Sequence, residues 1–277
     1  MLYYLQYNLY ARKIKAFFKF FGRNIMYYLT GDMHGDESRI YDKEWYKLKS
    51  GDTLIVLGDF GFLWDGSERE KKAIKFLSSR KFTIAFLDGT HENFDMINSH
   101  RVTRWKGGLV HRIGDNLYHL MRGQIFDLDG CRVFTMGGGE SGDIEIRKDK
   151  SWWKEEFPSP RELAEGAEAL DNEGLYVDYI LTHEPPSLVK SAMLLRQGRA
   201  DQVNKLNGYL EEIDRSCTYR HWYFGSMHED RTVTPKHSCV FNKIIPLDTS
   251  HITRKADRAR LLGLSEEPAT KNTEEKE

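Results

Sequence analysis

Five short stretches of this chain set carboxylates and imidazoles beside glycine or a strand end. They are Gly31-Asp32-Met33-His34-Gly35, Gly58-Asp59, Asp88-Gly89-Thr90-His91-Glu92, Thr182-His183-Glu184-Pro185 and Gly225-Ser226-Met227-His228. In extended chain, side chains two residues apart point the same way. Asp32 and His34 therefore offer one ion a hard oxygen and an imidazole nitrogen, and Asp59 has two oxygens with which to bridge two ions. The glycines let the backbone turn sharply at these points. A nitrogen and oxygen ligand set suits Mn, Fe, Zn or Ni rather than calcium and excludes soft-metal chemistry. A divalent cofactor is expected, Mn2+ first, with Fe, Zn, Ni or Mg as the alternatives.

The elements that must position these residues alternate. Strands are expected at Met26–Thr30, Thr53–Leu57 and Phe82–Leu87, with helices over Glu37–Leu48 and Ser67–Ser79. This βαβαβ order implies right-handed crossovers and a parallel sheet. Each of the first three motifs then falls at a strand's carboxyl end, where open α/β sheets bind ligands. Short runs at Leu109–Ile113, Leu117–Met121, Gln124–Leu128 and Arg132–Met136 read as a meander with Gly and Asp turns. A helix is expected from Pro160 to Leu170, a strand at Val177–Leu181, a helix over Val203–Ile213, and closing strands at Tyr219–Phe224 and Ser238–Ile245. His183 and His228 again sit just past strand ends. The expectation is one α/β domain with mixed sheets over 26–250.

Composition narrows the class. Of 277 residues, 40% are hydrophobic and 30% charged, which suits a globule with a substantial core. Lysine and arginine total 41 against 42 acids, so nothing marks the chain as built to coat nucleic acid. Three cysteines without a Cys-x-x-Cys spacing argue against a disulfide framework or zinc ribbon and point to a reducing, cytoplasmic setting. No apolar run reaches the roughly 18–20 residues of a membrane span. Residues 1–25 hold Arg12, Lys13, Lys15, Lys19 and Arg23 and no acid; with a total of −1 for the chain, the rest carries −6. Within them Tyr3, Tyr7, Tyr10, Ile14, Phe17 and Phe21 share one helix face. That extension suits a helix on an anionic membrane surface or in a partner's groove, and equally one packed on its own domain. Met26 would serve as a start codon in its own right. Residues 251–277 read as a charged tail.

The five blocks, in this order, resemble those of the calcineurin-like metallophosphoesterases, whose pattern is Asp-x-His, Gly-Asp, Gly-Asn-His-Glu, a lone His and Gly-His-x-His. The likeness spans residues 31–228 and is nearest the bacterial and phage-type branch. It implies two mixed β-sheets sandwiched between helices, and hydrolysis of a phosphomonoester or phosphodiester by a metal-activated water. By the same likeness Asp32, His34, Asp59 and His228 hold a first ion, Asp59 and His183 take part in a second site, and His91 contacts the phosphate and assists the leaving group. Two positions depart from the pattern: Thr90 replaces the Asn and Ser226 the first His of Gly-His-x-His. Hydroxyls are poor neutral ligands, so one firm and one weak ion are expected. The same departures admit a catalytically degenerate protein that uses the fold for binding or scaffolding.

Outside the blocks, Gly137-Gly138-Gly139-Glu140-Ser141-Gly142 satisfies a dinucleotide-binding spacing but lacks the apolar helix that should follow. It reads instead as a loop that approaches the site closely. Downstream, Arg147 is a candidate for gripping phosphate, and Trp152 and Trp153 for stacking a base of a nucleotide or nucleic-acid substrate. The competing reading packs all three onto the domain. The remaining histidines, at 100, 111, 119, 221, 237 and 251, match no block and are taken as structural.

Overall fold

The computed structural model describes residues 25–249 apart from 149 and 201. The readings made for 1–24 and for 250–277 lie outside that range.

The Tyr-Tyr-Leu-Thr and Thr-Leu-Ile-Val runs form β1 (Tyr27–Thr30) and β2 (Thr53–Val56), and β3 (Thr83–Phe86) follows. These three pair in parallel, Leu29 opposite Ile55 and Ile55 opposite Ala85. The reason they read as nearly unbroken apolar runs lies in the packing. Alternate residues serve two cores: Leu29, Ile55 and Ala85 face one, while Leu54, Val56 and Ile84 face another. Strands buried on both faces have no polar side to show.

The meander expected after β3 is divided between two sheets. β4 (Val102–Trp105), which the sequence did not reveal, β5 (Gly108–Arg112) and β6 (Leu117–Leu120) extend the first sheet, with β6 parallel to β3. The chain then crosses at 121–123, and β7 (Gln124–Leu128) with β8 (Cys131–Met136) opens the second. β9 (Tyr179–Thr182), β10 (His221–Phe224), β11 (Arg231–Thr234) and β12 (His237–Cys239) complete it. The single closing strand expected over Ser238–Ile245 is two strands. β12 belongs to the second sheet, whereas β13 (Ile245–Leu247) pairs antiparallel with β1 in the first. Between them the Asp230 carboxylate accepts the backbone N–H groups of Phe241, Asn242 and Lys243 and turns the chain from one sheet to the other.

The first sheet has seven strands in the order β13-β1-β2-β3-β6-β5-β4, and the second six in the order β11-β12-β10-β9-β8-β7. Both are mixed. Their facing surfaces share one core, which joins Leu29, Ile55 and Leu87 to Phe126, Val133 and Leu181. The outer face of the first sheet packs on α1 (Glu37–Ile40), α2 (Glu68–Ser78) and α3 (Phe94–Asn98), through residues such as Ile40, Leu77 and Ile97. The helix expected over Glu37–Leu48 is broken after α1, where the Asp42 carboxylate accepts the Glu44 N–H, and resumes only as a 3-10 turn at Trp45–Lys47. The second sheet's outer face carries α5 (Pro160–Asn172), α6 (Ser187–Arg196) and α7 (Lys205–Ser216), after the short α4 (Ile144–Arg147). Ser159 opens α5 with a full capping box to Glu162. The architecture is α/β, two mixed sheets with helices outside each. Among the described residues, no helix is long and apolar enough to cross a membrane.

Candidate metal centre

β1, β2 and β3 end at Asp32, Asp59 and Thr90-His91; β9 and β10 of the other sheet end at His183 and His228. The backbone turns out of these strands in an unusual way. His34, Asp59 and His228 all adopt left-handed conformations, with φ of 48°, 46° and 51°. Such angles are uncommon outside glycine and concentrate at functional sites. Hydrogen bonds hold the loops in register: Met33 and His34 donate their N–H groups to the Asp59 carbonyl, and the Glu92 carboxylate accepts Phe60 N–H at 2.6 Å. Glu92 is fully buried behind the second loop. Burial, with Asp59 nearby, raises its pKa well above the ordinary carboxylate value.

Two glycines make room for the cluster. A Cβ on Gly58 would lie 2.1 Å from His183 Nδ1, and one on Gly225 2.4 Å from Asp32 Oδ1. The His183 ring and the Asp32 carboxylate thus occupy the space a side chain would fill.

Five of the residues singled out in the sequence converge. His34 Nε2 and His228 Nε2 are 3.2 Å apart. Asp32 Oδ2 lies 2.9 Å from His228 Nε2, and Asp59 Oδ2 3.7 Å from His34 Nε2. His183 Nε2 is 3.7 Å from Asp59 Oδ1. An ion bound at about 2.1 Å sets neighbouring ligand atoms roughly 3.0–3.4 Å apart, so the His34, His228 and Asp32 atoms stand close to ligand spacing. Three overlapping groups each gather their donor atoms within 4.8 Å: Asp32, His34 and His228; His34, Asp59 and His91; and Asp32, Asp59 and His183.

The fit to a cation rests on Asp32. Its side chain is buried, yet neither oxygen receives a hydrogen bond from the described residues. Its one close polar neighbour is His228 Nε2, an ion-pair contact at 2.9 Å. A buried carboxylate with open lone pairs is costly unless a cation meets it. His183 completes the case. Its Nδ1 is 3.0 Å from the Leu57 carbonyl, which assigns the ring proton there and turns the Nε2 lone pair toward Asp59.

The electrostatics agree. Burial works against a charged His183, but Asp59 and Asp32 outweigh it and raise its pKa to about 9. Burial alone would raise Asp59, whereas His183 and His91 hold it well below the ordinary carboxylate value. Burial lowers His34 against the pull of both carboxylates. The Asp32 carboxylate raises His228. In the absence of an ion, protons on the histidines balance the two carboxylates.

His91 stands at the margin. Its Nδ1 lies 3.1 Å from Asp59 Oδ2 and 3.0 Å from Thr90 Oγ1, while Nε2 faces Asp143 Oδ2 at 3.7 Å. The bond to Asp59 raises its pKa. The Thr90 hydroxyl is therefore engaged with His91. Thr90 also donates its backbone N–H to Asp59 Oδ1 at 2.6 Å. Ser226 Oγ is buried and has no hydrogen-bond partner among the described residues.

Of the two readings of the insert, Arg147 follows the one that packs it onto the domain. Arg147 is 8% exposed, and its guanidinium is taken up by Asp143, Glu156, Ser141 and the carbonyls of Thr90 and Ser151. It braces the insert against the third strand end and has no free fork with which to grip phosphate. Burial raises the Glu156 pKa to about 7 even with Arg147 beside it. Trp153 donates Nε1–H to Asp95 at 2.9 Å and meets Trp64 edge to face at 5.7 Å. Trp152 is half-buried and no described contact brings it to the cluster. The glycine-rich loop does approach closely: a Cβ on Gly139 would lie 2.7 Å from Thr90 Cγ2.

The sequence marks Asp143, with Arg147 and the two tryptophans, as a segment that could overhang the site but not its place opposite His91, and it does not reveal the cavity beside His34 that Phe62, Trp64 and Arg69 line. Trp64, five residues past Asp59, was the one available signal. His119, read as structural, sits in a buried network, 3.0 Å from Asp88 and 3.0 Å from His111, with Arg122 on the far oxygen of Asp88.

No protein-family model matches the chain, and no curated protein matches it.

Proposed function

We propose that this chain is a metal-dependent phosphoesterase of the calcineurin-like metallophosphoesterase kind, cleaving a phosphomonoester or phosphodiester. The observation that carries the reading is the buried Asp32 carboxylate, ion-paired with His228 at 2.9 Å and facing the converging Nε2 atoms of His34 and His228. The order of the five sequence blocks supports it.

Asp32, His34, Asp59 and His228 would hold the firm ion, and Asp59 with His183 the weaker one. A mixed set of imidazole nitrogens and carboxylate oxygens accommodates Mn2+, the ion proposed first, as well as Fe, Zn or Ni. Divalent ions supply hydroxide near neutral pH and offset phosphate charge. The protein's own residues do the rest. Asp59 accepts from His91 Nδ1 and fixes the ring, which leaves Nε2 to hold a proton toward the departing oxygen. Water oxygen adds to phosphorus as the ester P–O bond breaks, the alcohol leaves with the His91 proton, and the proton released by the water restores the ring. A positioned histidine contributes about 10²- to 10⁴-fold in rate. Asp143 would help aim that ring.

A second reading, a binding or scaffold protein that no longer turns over substrate, draws on Thr90, whose hydroxyl is tied to His91 and not offered to an ion. Titrating Mn2+ against bis-p-nitrophenyl phosphate and p-nitrophenyl phosphate separates the two. Turnover that rises as the first site fills is the expected result. None at saturating Mn2+ would leave only the binding reading.

A further inference from the structure

A cavity of about 530 Å³ opens beside the cluster, lined by His34 and His91 and, away from them, by Phe62, Trp64 and Arg69. We infer that this cavity binds a neutral, planar heteroaromatic group, a nucleobase, carried on the phosphate ester that the metal centre receives. The inference rests on the phosphoesterase reading for its phosphate and on the cavity alone for its base.

Size and position come first. The volume falls within the roughly 300–1,000 Å³ range of small-molecule pockets. Because His34 and His91 belong both to the cavity wall and to the cluster, a group held in the cavity is contiguous with a phosphate at the ions. Phe62 is buried and supplies an apolar wall. Trp64 is half-buried and already fixed: its carbonyl accepts from Asn93 at 2.6 Å, and its ring is propped by Trp153. A fixed, partly open indole is a stacking surface with little ordering cost.

Charge decides which group is stacked. Four carboxyls line the cavity against one guanidinium. Three of the four each accept backbone N–H groups through one oxygen. Asp36 accepts Ser38 N–H, Asp65 accepts Ser67 N–H, and Glu70 accepts the N–H groups of Asp65 and Gly66. Their charge still opposes a second phosphate, so the cavity is unsuited to an extended polyphosphate chain. What stays available is a paired donor and acceptor. Arg69 meets Glu37 through Nε at 2.6 Å, which leaves its terminal amines and the other Glu37 oxygen without a hydrogen bond among the described residues. A base edge carries both donors and acceptors and matches that pair; a sugar or alkyl group would leave the indole unused.

Isothermal titration of the full chain, loaded with Mn2+, tests this with adenosine 5′-monophosphate, ribose 5-phosphate, adenosine 5′-diphosphate and adenosine. Stacking on one aromatic is a difference of about 5- to 150-fold. The monophosphate should bind at least about tenfold tighter than ribose 5-phosphate, and the diphosphate no tighter than the monophosphate. Trp64→Ala should erase the advantage of the base, and Trp64→Phe should restore most of it, with circular dichroism melts showing that both variants fold. Equal affinity for adenosine 5′-monophosphate and ribose 5-phosphate, both competing with inorganic phosphate, overturns the base site and leaves the phosphate reading standing. Adenosine binding as well as its monophosphate, and lost in Trp64→Ala, upholds the base site while sinking the phosphoesterase reading.

Discussion

The two sheets are built alike, parallel at the centre and antiparallel at the rims, yet they bring different chemistry to the seam between them. The first contributes both carboxylates, Asp32 and Asp59, with His34 and His91. The second contributes imidazoles alone, His183 deep in the seam and His228 at its mouth, half exposed. The group of His34, Asp59 and His91 lies wholly on the first sheet, whereas the two groups that include Asp32 each take an imidazole from the second. The carboxylates lie at the ends of neighbouring parallel strands, where their repulsion needs an opposing charge; His91 and His34 supply part of it from the same sheet, and His183 supplies it from behind. The difference teaches that Asp32 finds its donor partners only at the sheet–sheet contact, while the His91 side of the cluster belongs to the first sheet.

Removing the shared carboxylate should break the comparison most completely. Asp59→Asn takes an oxygen from two of the three donor groups. It should weaken Mn2+ binding and phosphoester turnover by at least about 100-fold, since losing even an outer partner costs about 10- to 100-fold. Calorimetry and a p-nitrophenyl phosphate assay would show it, and near-normal binding would contradict a shared site. Next in size, Gly58→Ala should disrupt the second sheet's contribution through the first sheet's backbone. The new Cβ would lie 2.1 Å from His183 Nδ1, so either the loop or the ring must move. A loss of about 2–4 kcal/mol in urea unfolding is expected, from overpacking plus a left-handed φ that alanine tolerates poorly.

The buried histidine also sets a pH dependence. With its pKa raised to about 9, His183 binds a proton in the ion-free fold that the unfolded chain releases near 6.5. That stabilisation is fully present below about 6.5 and is lost as pH rises toward 9. An ion must displace the same proton, so Mn2+ affinity should climb by up to about tenfold per pH unit until pH 9. His183→Gln should flatten this slope, whereas His228→Gln should leave much of it. A slope unchanged in His183→Gln would show that the proton sits elsewhere. The smallest effect is expected from filling the second site. Thr90→Asn with Ser226→His should raise turnover by a few-fold to about tenfold if weak second-ion binding limits the rate. No change, with two ions bound, would place the limit elsewhere.

Much of this was legible in the sequence because it depends on short spacings. Asp-x-His, Gly-Asp and the two late histidines could be placed at strand ends from hydrophobic runs alone, and all five side chains do converge. What the sequence hid depends on pairs far apart in the chain. Arg147 reads as a free phosphate clamp until Glu156 and the Thr90 carbonyl are seen to occupy it. The Ser238–Ile245 run reads as one strand until Asp230 is seen to turn it between sheets. β4, with its alternately exposed residues, carries too little apolar signal to stand out. The division of the meander between two sheets follows from which core each strand faces, and no local pattern encodes that.

The left-handed backbones at His34, Asp59 and His228 carry a consequence for how such a chain could change over generations. Each departs from the conformation its residue type prefers, at about 1 kcal/mol or more apiece. Glycine would relieve all three and steady the fold while removing three donor atoms. Under the proposed function, selection for stability and selection for the ion pull in opposite directions at the same three torsions. A descendant released from its chemistry should drift first at these positions, long before its core gives any sign of it.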